Sequence, residues 1–170
     1  MENAVDNLNV IAEFSVGMAG FAGIVAVVVG SNRGWNSVSK FRAGNLIVLS
    51  IMAGFSALIS LGLAQYIAGE TLWQTSCGVQ ACACVIFVAA NRSKSIEAFG
   101  HSIFSLENPV NASLWSAYVA NLVLQILGAF GVFDEFAFAI FYGGLVFHLA
   151  IAALNFYRLV FPPENDPDDV

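Results

Sequence analysis

The 170-residue sequence predicts an all-α integral membrane protein: a bundle of five transmembrane helices, N-terminus outside and C-terminus in the cytoplasm, plus a short interfacial amphipathic helix. Three observations predict it. Only 11% of the residues are charged and 58% are hydrophobic, where an ordinary soluble domain carries about 25% charged residues; the mean hydropathy is +0.76. The apolar residues form unbroken runs close to the ~20 needed to cross hydrocarbon. The basic residues, finally, all fall in connections or at a span end that five spans place on one side. A soluble enzyme, a secreted disulfide scaffold and a nucleic-acid binder, which needs a basic face, are excluded. The net charge of −6 comes largely from the outer connections and the acidic tail.

The first apolar run covers about 8–30 and stops at the polar turn Ser31-Asn32-Arg33-Gly34-Trp35-Asn36. A second covers about 45–68, and Gly69-Glu70-Thr71 makes a tight reversal into the third, 72–90. A polar connection follows from Asn91 to Ser113. The fourth run is 114–133, interrupted by Asp134-Glu135, and the fifth is 136–161. Pro162-Pro163 cannot continue a helix, and 162–170 reads as an acidic, disordered tail. Residues 1–161 thus form a single bundle. No basic n-region precedes span one and no small-residue cleavage site follows it, so it is expected to be retained.

Five spans alternate the connections. Arg33, Lys40, Arg42, Arg92, Lys94 and Arg158 then share one side, cytoplasmic by the positive-inside rule. Glu2, Asp6, Glu70, Asp134 and Glu135 share the other. Removing or adding one span would split the basic set. Between Lys94 and Leu106, the apolar residues Ile96, Phe99, Ile103, Phe104 and Leu106 recur at helical spacing, which predicts an interfacial helix over about 94–106. Asn111 or Ser113 is expected to cap the fourth span.

Polar groups inside hydrocarbon need partners. Ser56, Ser60 and Ala64 share one face of span two; Ser76, Gln80 and Cys84 share one face of span three. The position numbers of facing residues sum to a constant 140 about the reversal at position 70. The two spans are therefore expected to meet through Ser56/Cys84 and Ser60/Gln80, with Gln80 bonded to Ser60. Around the turn at Asp134, Asn121 pairs in the same way with His148, and Gln125 with Gly144, whose missing side chain leaves room for the amide. Asn155 and Tyr118 extend these faces toward the cytoplasm. Gln125, Asn121, His148 and Asn155 are candidates for a polar path or ligand pocket; a neutral imidazole held by an amide is the structural alternative.

Span one carries Glu13, the one carboxylate placed inside a predicted span, about 8 Å of helix beyond Leu8. No Lys or Arg is expected at its depth, so it is protonated, bound to hydroxyls or open to outer water. Ser15, Ala19 and Gly23 form a small face beside Gly17 and Gly20, which allows close packing within the bundle or against another copy. The run Gly17–Val25 resembles a stretch of small bacterial membrane proteins, which implies the bacterial inner (plasma) membrane and no particular activity.

Cys77, Cys82 and Cys84 form no C-x-x-C pair, so a thiol oxidoreductase does not fit. Two histidines, one in a connection, make a bis-histidine haem improbable, and no cofactor is expected. The absence of a lysine from the predicted spans excludes a retinal Schiff base, and phosphate loops, zinc spacings and nucleophile elbows are missing. Neither a metal site nor enzymatic activity is expected. What remains is a homo-oligomeric channel or pore with an acidic outer face, or a non-catalytic accessory or anchoring subunit of a larger membrane complex. The expected partners are the lipid bilayer and either further copies or another membrane subunit, with no nucleic acid.

Overall fold

The structure, a computed structural model, describes residues 2–33, 36–99 and 109–161. Five helices account for most of them: α1 (Glu2–Arg33), α2 (Ser37–Leu63), α3 (Glu70–Phe99), α4 (Pro109–Ala129) and α5 (Ala137–Val160). All five are long and apolar enough to cross a membrane. This is the architecture of a multi-pass membrane protein.

Helix ends follow local chemistry more than apolar content. Asn36 caps α2 by accepting from the Ser39 amide at 2.7 Å, so α2 begins well before the apolar run at Asn45. α4 begins at Pro109, whose fixed φ suits a first helical position, so it starts before Asn111 and Ser113, the expected caps. Gly69 and Gly131 take φ of 70° and 71° and make the two described turns between helices. A Cβ on Gly131 would lie 2.7 Å from Asp134 Oδ1, the oxygen that accepts from Gln74 Nε2 at 2.7 Å. That bond ties α3 to the 3-10 turn Asp134–Phe136 ahead of α5.

One expectation changes here. α3 runs without a break to Phe99, so no separate helix begins at Lys94: backbone hydrogen bonding carries a helix past the point where its side chains turn polar. Residues 100–106 of the expected interfacial helix, and the 162–170 tail, lie outside the described residues.

α5 touches each of the other four helices, while α1 lies mainly along α2. Two apolar clusters stack along the bundle. One, toward the acidic end, joins Leu8, Ile11, Ala53, Ala57, Cys77, Phe141, Leu145 and Leu149. The other, toward the basic end, joins Ala22, Leu46, Leu49, Cys84, Phe87, Trp115, Tyr118 and Ala152. Lipid tails are as apolar as these side chains, so packing and polar contacts must supply what burial from water supplies elsewhere. Gln80 on α3 falls in sequence between Cys77 of the first cluster and Cys84 of the second, and His148 on α5 lies within the first, next to Leu149; both are fully buried.

Candidate functional site

A polar layer crosses the bundle centre. His148 leaves α5 with Nδ1 2.6 Å from the carbonyl oxygen of Gly144 and 2.9 Å from Gln80 Nε2. Its Nε2 lies 3.2 Å from the Tyr118 hydroxyl and 3.6 Å from Cys84 Sγ. Each tautomer of the neutral ring finds one partner at each nitrogen. With the proton on Nδ1, His148 donates to Gly144 and accepts from Tyr118; with it on Nε2, the ring donates to Tyr118 and accepts from Gln80. Each tautomer leaves one of the two neighbours of Nδ1 unserved, Gln80 in the first and the Gly144 carbonyl in the second.

Beside this group, Gln125 donates to the Ile140 carbonyl at 2.8 Å and to Asn121 Oδ1 at 3.5 Å. The space that Gly144 leaves is filled by the Gln125 amide, with which a Cβ there would collide. Gln80 Oε1, Gln125 Oε1 and Asn121 Nδ2 are buried and have no hydrogen-bond partner among the described residues. The layer is polar beyond what its internal bonds use.

Two expected bonds are replaced. His148 bonds to Gln80 and Tyr118, while Asn121 bonds to Gln125; Tyr118, one turn away from Asn121 on the same face of α4, has the longer reach. Gln80 does not bond to Ser60, whose hydroxyl donates to the Ser56 carbonyl at 2.9 Å within α2. Serine spacing marks the buried face without marking a bond across it: Ser56, Ser60, Gln80 and Cys84 are all buried. Tyr118 is the participant that sequence reasoning placed only at the margin. Its signal is positional, since residues 118, 121 and 125 line one helical stripe.

Asn155 stands apart from this layer. Its amide donates to the Ile151 carbonyl at 2.9 Å, and it lines a recess of about 50 Å³ with Arg42, Asn45, Trp115, Tyr118 and Arg158 at the basic end. That volume holds only a few waters. Tyr118 forms the wall between this recess and His148.

Glu13 is remote in a different sense. Ser15 is buried, and its Cβ sits 2.9 Å from where a Cβ on Gly54 would lie, so this face of α1 packs on α2. Ala19 continues that face as a lining residue of the α1/α2 groove. Gly23 is half-buried, with open space where its side chain would be. The opposite face, Val10, Glu13, Gly17, Gly20 and Ile24, is exposed throughout. The structure therefore brings Asn121, Gln125 and His148 into one layer, sets Asn155 one recess away and turns Glu13 out of the bundle.

Among the described residues, no group of three or more His, Cys, Asp or Glu could hold a metal ion. Cys77 and Cys84 are buried, Cys82 is exposed, and all three are free thiols. No protein-family model, curated protein or solved structure matches this chain.

Proposed function

We propose that the chain is a subunit of a homo-oligomeric channel or pore in a bacterial inner membrane, its N-terminus outside and its C-terminus cytoplasmic. One observation carries the reading: Glu13 is exposed on the outward face of a membrane-length helix. Ionisable residues inside membranes almost always face a bundle interior or a water-filled cavity, and Glu13 faces neither within its own chain. The missing surroundings are supplied when copies assemble around α1.

Two further features support assembly as the source of any pore. The polar layer is packed, with Gln80, Gln125 and His148 at 0% exposure, so the described residues of a single bundle leave no open path through it. The helix pattern groups Asp6, Glu70, Asp134 and Glu135 at the same end as Glu13, an arrangement that raises the local cation concentration. Glu13 then belongs to the boundary between copies, at or near the outer constriction, where rings of carboxylates select cations. The test is mass in lipid particles that preserve the native assembly. A discrete multiple of the 18.1 kDa chain is expected; a single-copy mass refutes the reading and favours an accessory subunit whose partner is another chain.

A further inference from the structure

We propose that the outward face of α1 from one copy seats in the groove between α4 and α5 of the next, with Glu13 accepting a hydrogen bond from Asn121. The proposal rests on the homo-oligomeric reading above and names the two surfaces that meet.

The groove is lined by Ala117, Ala120, Asn121, Leu124, Gly143 and Gly144, among others, and has a volume of about 580 Å³. Small residues on both walls let a third helix approach closely. A row of small residues alone could be covered by lipid, but this floor is not purely apolar. Asn121 is 8% exposed and its Nδ2 has no acceptor among the described residues. The χ2 torsion of asparagine is broad, so the amide can turn this donor toward an acceptor in the groove. A lipid tail offers no acceptor there.

The chain itself displays one. Glu13 is an exposed carboxylate flanked at i+4 and i+7 by Gly17 and Gly20, where an added Cβ would meet nothing within 4 Å. The acidic α1 face and the α4/α5 groove are thus complementary in shape and in hydrogen-bonding sense.

They also match in depth. α2 and α4 both run toward the acidic end. Ser15 packs at Gly54, nine residues or about 13 Å before the end of α2, which puts Glu13 about 10 Å from that end. Asn121 lies eight residues, about 12 Å, before the end of α4. The difference is less than half a helical turn. Because the two surfaces differ, the contact is head-to-tail, and such contacts close into rings when the rotation permits.

The experiment uses the full chain carrying Cys82→Ser, which removes the exposed thiol. Gly17→Cys and Ala117→Cys are placed in separate chains and co-expressed; by the same count, the two positions lie within about 2 Å in depth. Oxidation is expected to link the two kinds of chain and to give no dimer of either alone. Asn121→Ala or Glu13→Leu is expected to lower the association constant roughly 3- to 30-fold, the span of interhelical polar contacts in membranes. Self-linking of Gly17→Cys alone would show α1 meeting α1 and overturn the proposal. A stable oligomer without the mixed link would overturn it and leave the homo-oligomeric reading standing; a chain that remains single removes both.

Discussion

His148 and Tyr118 join α5 to α4 edge-on: Nε2 of the imidazole is 3.2 Å from the phenol oxygen, and the ring planes stand at 89° with centroids 5.5 Å apart. With Gln80 on the opposite nitrogen, this contact links three helices at the bundle centre.

His148→Leu removes the partner of both Tyr118 and Gln80. A made bond in a membrane contributes only about 0.6 kcal/mol on average, but stranding a buried polar group costs about 1–3 kcal/mol, so the second effect decides. The expected loss is about 1–3 kcal/mol in reversible unfolding from bicelles. Tyr118→Phe combined with His148→Leu is expected to recover part of it. Strict additivity of the two changes would show that the residues do not act together.

Gly144→Ala forces a methyl group into the Gln125 amide and to within 3.2 Å of Asn121 Oδ1. Gln125 cannot retreat without giving up its 2.8 Å bond to the Ile140 carbonyl. A loss of about 1–3 kcal/mol is expected, the usual cost of overpacking. Gly62→Ala on α2, where a Cβ meets nothing within 4 Å, is the matched control. It is expected to be neutral or stabilising by up to about 1 kcal/mol, since alanine favours helix. Thermal unfolding of both variants side by side checks the contrast.

Thiol labelling tests the orientation. In a chain carrying Cys82→Ser, a cysteine at Ser37 is expected to react with impermeant reagent only from the cytoplasmic side, and one at Glu70 only from outside. Both are exposed first residues of their helices, Ser37 of α2 and Glu70 of α3, and lie at opposite ends of this antiparallel pair. Reaction of the Ser37 position from outside would reverse the assigned sidedness.

The five helices were legible because uninterrupted apolar runs and the segregation of six basic residues give the same count independently. Their ends were not. α1 starts at Glu2 and α3 continues to Phe99, because polar residues beyond the apolar run still satisfy the helical backbone. The Gln125–Gly144 contact was legible from four-residue spacing on two helices joined by a short turn. The partner of His148 was not, since hairpin arithmetic relates two helices only and Gln80 comes from a third. Ser60 misled for another reason. Ser60 satisfies itself within its own helix, as Ser15, Ser50 and Ser76 also do by donating to the carbonyl four residues earlier.

Glu13 illustrates what pattern alone leaves open. Spacing identified Ser15, Ala19 and Gly23 as a packing face, and Ser15 and Ala19 line the α1/α2 interface. Which side of α1 Glu13 takes depends on where α2 docks, and that follows from the close approach of Ser15 to Gly54.

The most direct test of the central claim is ion conductance through the purified chain in planar bilayers, wild type against Glu13→Gln. The substitution keeps the shape of the side chain and its capacity to accept a hydrogen bond, and removes only the charge. The account predicts a cation-selective conductance in the wild type and a reversal potential shifted toward zero in the variant under a salt gradient. A wild-type chain that assembles but passes no current would contradict the channel itself; an unchanged reversal potential would take Glu13 out of the conducting path.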